Sequence, residues 1–122
     1  MARILIIDDQ DSVRSMLRHM LETADYDVVE AADGRQGIER YKEDRADLVI
    51  TDIVMPEKDG IETIMELCRD DPDARIIAIS GGGRWVGKDY LEMAGKLGAR
   101  RVLPKPVKRV DLLRAVRDTL GE

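Results

Sequence analysis

The sequence has few of the residues that mark exported, membrane-spanning or disulfide-rich proteins. It contains one cysteine, Cys68, which cannot form an internal disulfide and whose spacing offers no zinc site. No apolar run approaches the ~20 residues that a membrane-crossing helix needs. The N-terminal apolar stretch is too short for a signal peptide and runs directly into acidic residues. These absences predict a protein of the reducing cytoplasm that does not cross a membrane.

The sequence also lacks an excess of positive charge, since 20 Lys and Arg against 25 Asp and Glu leave a net charge of −5. A protein of this charge has no general attraction for phosphate backbones, so we expect no direct binding of nucleic acid. Apolar residues make up 43% and charged residues 37%, a balance typical of an ordered globular chain. The length suits one domain, which we predict to span residues 1–122.

Short apolar runs alternate with segments of helical period, and the alternation repeats five times. The runs predict strands at 4–7, 26–30, 48–51, 76–79 and 101–103. The first is apolar on both faces, as a strand buried in a parallel sheet should be. Strands that alternate with helices imply right-handed crossovers. The predicted fold is therefore α/β: a doubly wound, five-stranded parallel sheet with helices on both faces.

The helices are predicted from apolar side chains that recur on one stripe. The first helix is predicted after residue 12, and the second ends near residue 43. The third and fourth span 60–69 and 86–97, and the fifth closes the chain. We expect Asp11 or Ser12 to cap the first helix, which would leave the preceding aspartates without a capping role. The buried stripe of the last helix is predicted to consist of Val110, Leu113, Val116 and Leu120.

Polar residues follow the predicted strands where parallel α/β sheets bind ligands, at the carboxyl ends. The first strand ends in Asp8 and Asp9, the third in Asp52, the fourth in Ser80, and the fifth runs into Lys105. Each residue alone has an ordinary structural reading as a turn former, a loop residue or a solvated lysine. Their joint occurrence at strand ends favours a functional site.

Three carboxylates in one place repel each other, and a hard dication would relieve that repulsion. Mg²⁺, or Mn²⁺ in its place, prefers oxygen ligands and commonly takes only one or two carboxylates. The remaining carboxylate could then attack phosphorus as a nucleophile. Phosphoryl transfer mainly requires positioning and charge neutralisation, which the cation, Lys105 and Ser80 could supply.

These residues together resemble the response-regulator receiver family of two-component signalling. Asp8 and Asp9 follow Ile-Leu-Ile-Ile; Asp52 stands between Leu-Val-Ile-Thr and Ile-Val-Met-Pro; Ser80 follows Ile-Ala-Ile; and Lys105 precedes Pro106. The resemblance covers essentially the whole chain and is closest to stand-alone receivers of the chemotaxis type. It implies a flavodoxin-like strand order of 2-1-3-4-5.

By this resemblance Asp52 is the phospho-acceptor. The cation would be bound directly by Asp9, by Asp8 through water, by Asp52 itself, and by the backbone carbonyl of Val54. Ser80 and Lys105 would turn toward the phosphoryl group, and the Lys105–Pro106 bond would be cis.

The resemblance further implies that a histidine kinase or phosphotransfer protein supplies the phosphoryl group. Phosphorylation would then alter a surface that binds a downstream protein target. In that reading the chain is a signalling module with intrinsic autophosphorylation and slow autodephosphorylation, and not an enzyme acting on an external substrate.

Two positions depart from the family pattern. Val102 stands where an aromatic reporter is frequent, so a switch by aromatic rotation is not predicted. Trp85, in a glycine-rich loop, could serve as the mobile group instead or could simply pack on the following helix.

Two other functions compete with the phospho-acceptor reading. The segment 82–88 fits a phosphate-binding loop ending in Gly87-Lys88, but Asp89 follows where such a loop needs a serine or threonine for Mg²⁺. A pseudo-receiver that binds a partner without phosphorylation is the second, and the complete set of acidic, hydroxyl and lysine side chains argues against it.

Overall fold

The computed structural model describes residues 2–53, 60–80, 96 and 98–122. Five strands lie in these ranges: Arg3–Ile7 (β1), Asp27–Ala31 (β2), Leu48–Asp52 (β3), Ile76–Ser80 (β4) and Arg101–Pro104 (β5). Four helices accompany them: Asp11–Glu22 (α1), Gly34–Glu43 (α2), Gly60–Asp70 (α3) and Arg109–Leu120 (α4). The predicted helix 86–97 lies outside the described residues, apart from Lys96.

All five predicted strands are present, and each bound agrees with the prediction to within one residue. They form one parallel sheet in the order β2-β1-β3-β4-β5, which confirms the predicted doubly wound fold. The chain leaves β1 toward β2 on one side and later returns to place β3 on the other. The carboxyl ends of β1 and β3 therefore flank the point where strand order reverses.

Helices cover the sheet on both faces, and β1 shows the division. Leu5 and Ile7 pack in the cluster that includes side chains of α2 and α3, whereas Ile4 and Ile6 pack toward α1 and α4. All four side chains are 0–1% exposed. The apolar run of β1 is thus explained by burial on two faces, as the sequence predicted.

The predicted buried stripe of α4 is wrong at Val110, which is 64% exposed. The buried stripe is centred on Leu112 and Val116, both of which are fully buried. Val110 occupies the first turn and lies beyond the edge of that stripe. The spacing from 110 to 113 fitted a helix, but an isolated helical repeat does not determine which side faces the sheet.

In the part of the chain that the structure describes, no helix combines the length and apolarity that a bilayer crossing requires.

Candidate functional site

Three predicted carboxylates come together at the carboxyl ends of β1 and β3. Asp8 directly follows Ile7, and its amide extends the ladder by donating to the Ala31 carbonyl at 3.2 Å. Asp52 is the last residue of β3. One ligand oxygen from each of Asp8, Asp9 and Asp52 lies within 4.8 Å of the other two. Strand pairing of β1 with β3 brings these acidic residues together.

The three carboxylates differ in their access to solvent. Asp8 and Asp52 are buried, at 1% and 4% exposure, whereas Asp9 is exposed. Buried carboxylates are costly unless a cation or hydrogen-bond donors compensate them. The exposed Asp9 gives the cluster one carboxylate that a small ion can approach from solvent.

Lys105 supplies the ammonium group that the sequence predicted for this site. Its Nζ lies 3.3 Å from Asp8 Oδ2 and 3.4 Å from Asp52 Oδ2. Both distances exceed the roughly 2.7–2.9 Å of a strong charge-assisted hydrogen bond, so one ammonium is shared loosely between two carboxylates. The peptide bond from Lys105 to Pro106 is cis, as the family resemblance implied.

The donor set fits a hard divalent cation. Three carboxylates and one ammonium leave two formal negative charges, which one dication would neutralise. All the ligand atoms of the cluster are oxygens, the donors that Mg²⁺ and Mn²⁺ prefer. Asp9, as the exposed member, is the carboxylate best placed to bind an ion that retains several waters.

The carboxylate of Asp8 also has a local structural role that the sequence analysis did not predict. Its Oδ1 accepts a hydrogen bond from the Gln10 amide at 2.9 Å. Gln10, and not Asp11 or Ser12, is the N-cap of α1, and its side chain makes no capping bond. The predicted cap is therefore wrong because the helix begins earlier than expected, and Asp11 is its first residue.

Gly60 contributes to the site through its lack of a side chain. A Cβ at this position would lie 2.0 Å from the Asp52 carbonyl oxygen and 2.5 Å from Ile53 Cα. The Gly60 amide donates to the Ile53 carbonyl at 2.7 Å. Helix α3 therefore begins in direct backbone contact with the residue that carries the candidate nucleophile. From the sequence, Gly60 also fitted a turn that needs a positive φ, but Gly60 is not among the described glycines with positive φ, so its role is close backbone contact.

Several predicted site features lie outside the described residues. These are Val54 with its backbone carbonyl, Trp85, and the loop 82–88 with Asp89. Ser80 pairs through its backbone with Pro104 at the carboxyl end of β4, but its side chain is not among those described. Val102 is half-buried and packs against the core cluster that includes side chains of α2 and α3.

A second polar cluster lies at the opposite end of the sheet and has a different character. Tyr41 Oη donates to Asp71 Oδ2 at 2.6 Å, and the Asp73 amide donates to Asp71 Oδ1 at 3.1 Å. Arg45 Nε lies 3.4 Å from Asp71 Oδ2. The Tyr41 hydrogen bond is the largest cause that lowers the pKa of Asp71 below its usual value. Both carboxylate oxygens of Asp71 have protein donors, so this cluster reads as structural.

Comparison with known proteins gives a consistent result over nearly the full chain. A family model described as the response regulator receiver domain matches residues 4–117. Chemotaxis protein CheY of Thermotoga maritima is 41% identical over 105 residues, 85% of either chain, and CheY of Bacillus subtilis is 40% identical over 120 residues, 98% of either chain. A solved receiver domain protein from Clostridium thermocellum shares the fold with a TM-score of 0.91 at 30% identity, covering 99% of this chain and 95% of its own.

Proposed function

This chain belongs to the response regulator receiver domain family, and from that membership we propose that Asp52 accepts a phosphoryl group in a reaction that depends on a divalent cation. The observation that carries the proposal is that Lys105 Nζ lies within 3.4 Å of a carboxylate oxygen of both Asp8 and Asp52. These groups lie at the edge of the sheet where Asp9 is exposed to solvent. A signalling module that works by receiving phosphate needs a nucleophile, a cation site and a neutralising ammonium in one place.

In the proposed reaction a carboxylate oxygen of Asp52 forms a bond to phosphorus while the bond from phosphorus to the donor breaks. When bound, Mg²⁺ or Mn²⁺ would supply charge neutralisation for the phosphoryl oxygens. Asp8 and Asp9 would hold that cation, together with the carbonyl of Val54. The Lys105 ammonium, which lies between Asp8 and Asp52, would pair with the new phosphoryl charge.

We extend the proposal to the partners that such a module requires. A histidine kinase or phosphotransfer protein would supply the phosphoryl group, and small phosphodonors would allow autophosphorylation followed by slow hydrolysis. The added charge at Asp52 would draw Lys105 and the Ser80 hydroxyl toward it and so change the protein-binding surface around β5 and α4. We also propose that residues 1–122 act as one domain in the cytoplasm.

Mass spectrometry of the intact protein tests the phospho-acceptor. Incubation with a small phosphodonor and Mg²⁺ should add the mass of one phosphoryl group, and chelation of the metal should prevent the gain. Asp52→Asn should remove it, whereas Asp118→Asn, at an exposed aspartate that pairs with Arg101, should not. Absence of any gain, or a gain that persists in Asp52→Asn, would contradict the proposal.

A further inference from the structure

The side chain of Arg14 joins the acidic loop to both neighbouring elements. Its Nη1 donates to the Asp8 carbonyl oxygen at 2.6 Å, and its Nε donates to Glu30 Oε1 at 3.1 Å. Its Nη2 contacts the Asp11 carboxylate in the first turn of α1. The side chain is only 14% exposed, so these contacts are made largely out of water.

The Asp8 carbonyl is the acceptor that matters for the site, because it belongs to the peptide group between Asp8 and Asp9. Among the residues with described coordinates, none donates a hydrogen bond to the Asp9 carboxylate. Within that part of the chain, the backbone is therefore the part of Asp9 through which neighbouring residues can influence where its carboxylate lies. The guanidinium of Arg14 holds the carbonyl end of that peptide group through its hydrogen bond to the Asp8 oxygen.

Glu30 gives Arg14 a rigid anchor. It lies on β2, paired in register with Ile6 of β1, so its backbone position is fixed by the sheet. Arg18 also binds this carboxylate, with Nη1 2.5 Å from Glu30 Oε2. The hydrogen bonds from Arg18 and Arg14 lower the pKa of Glu30, and the carboxylate stays ionised at neutral pH. The anchor is therefore charged at neutral pH.

We propose that Arg14 is a positioning residue for the cation site: it holds the Asp8–Asp9 peptide group so that Asp9 faces the other carboxylates. The inference rests on the proposed function, in which Asp8 and Asp9 hold the cation. Residues that orient metal ligands typically change metal affinity by roughly 10–100-fold when removed.

Simple electrostatics makes the opposite prediction for the same residue. Arg14 carries a positive charge beside a site for cations, so its removal would strengthen Mg²⁺ binding if charge alone mattered. The sign of the change in Mg²⁺ affinity therefore separates a positioning role from a purely electrostatic one.

The chain offers a matched control in Arg18, which binds the same Glu30 carboxylate but has no contact with the Asp8 carbonyl. Arg14→Met and Arg18→Met each remove one positive charge and one partner of Glu30 while keeping an apolar stem. Titration calorimetry with Mg²⁺ on the unphosphorylated protein should show binding roughly 10-fold weaker, or more, in Arg14→Met. Arg18→Met should stay within about twofold of the unaltered protein.

Arg14→Lys then separates charge from geometry. A lysine keeps the charge, but its single ammonium cannot reproduce the planar fork that reaches Asp8, Asp11 and Glu30 together. We expect Mg²⁺ binding in Arg14→Lys to remain several-fold weaker than in the unaltered protein. Urea unfolding of all three variants, without metal, checks that each is folded at the temperature of the titration.

Each outcome bears on the inference. Unchanged or tighter Mg²⁺ binding in Arg14→Met would overturn it, as would full affinity in Arg14→Lys or an equal loss in Arg18→Met. If the unaltered protein bound no Mg²⁺ at all, the proposed function would fall, and this inference with it. If the unaltered protein bound Mg²⁺ and was phosphorylated on Asp52 while Arg14→Met bound equally well, only the positioning role would be refuted.

Discussion

The substitution Gly60→Ala should disturb both the fold and the candidate site, because the added methyl group meets backbone. It would lie 2.0 Å from the Asp52 carbonyl oxygen and 2.5 Å from Ile53 Cα. Carbon atoms essentially never approach closer than 3.0 Å in such contacts, so α3 or the end of β3 must move by about 1 Å. Asp52 and Ile53 are almost fully buried between neighbouring strands and cannot yield outward.

The expected loss of stability follows from three contributions. Overpacking a rigid site typically costs about 1–3 kcal/mol. Separation of α3 from β3 would also stretch the 2.7 Å hydrogen bond from Gly60 to the Ile53 carbonyl, worth about 1 kcal/mol. Alanine favours a helix interior over glycine by at most about 1 kcal/mol, and less at a first residue. The free energy of unfolding should therefore fall by about 1–4 kcal/mol.

Gly37→Ala provides the matched control. Its Cβ would lie 2.2 Å from Ile7 Cδ1 and 2.6 Å from Ile7 Cγ1, nearly as close a contact, but the obstacle is a side chain and not backbone. Ile7 can rotate part of the way, and alanine gains helix propensity in the middle of α2. We expect a loss of about 1 kcal/mol or less, measured by urea unfolding with unchanged slopes.

Mg²⁺ titration completes the comparison, since Gly60 touches the backbone of Asp52 and Gly37 does not. Gly60→Ala should weaken Mg²⁺ binding by at least several-fold, and Gly37→Ala should leave it unchanged. Equal losses of stability in the two variants, or a Gly60→Ala protein that binds Mg²⁺ normally, would refute the reasoning from a rigid backbone contact.

Burial, ionisation and metal binding elsewhere in the fold should each have a measurable effect on stability. Tyr41→Phe should cost about 1–3 kcal/mol at pH 7 by removing a donor to a buried carboxylate. The lowered pKa of Asp71 means that its contribution is complete above about pH 4 and is lost as pH falls through the folded-state value, so urea unfolding at pH 3 should show a smaller difference between the two proteins. Leu112→Ala should cost about 2–5 kcal/mol and Val110→Ala less than about 0.5 kcal/mol, and equal losses would contradict the reported burial. Mg²⁺ at a hundred times its dissociation constant should raise the free energy of unfolding by about 2.7 kcal/mol. Asp9→Asn should largely abolish this stabilisation, and a full effect of Mg²⁺ on the Asp9→Asn protein would contradict a role for Asp9 in binding the ion.

The sequence predicted the strands and the meeting of polar residues for a definite physical reason. Carboxyl ends of parallel strands lie at one edge of the sheet, so Asp8 and Asp52 had to be neighbours once their strands paired. Strand bounds were readable because burial on two faces removes polar residues from the interior of a strand, as in β1. These features depend on periodicity, which a sequence displays directly.

Features that depend on tertiary contact could not be read in the same way. Arg14 looks like any charged residue of a helix until Glu30, sixteen positions later, is placed beside it by the pairing of β2 with β1. Gly60 looks like a helix start until α3 is packed onto the end of β3. Val110 fitted a helical stripe, but the rotation of α4 about its axis is decided by what it packs against.

The two buried acidic clusters show how the site differs from ordinary structure. Asp71 receives hydrogen bonds on both oxygens from Tyr41 and the backbone, which balances the cost of its burial within the fold. Asp8 is more deeply buried, yet within the described part of the chain its Oδ2 receives no hydrogen bond and has only the ammonium of Lys105 at 3.3 Å. A rim that keeps two net negative charges and one shared ammonium is less stable alone than with a dication bound. Under the proposed function, the same imbalance that makes this edge of the sheet costly for folding would give it affinity for a cation, and through that cation for a phosphoryl group.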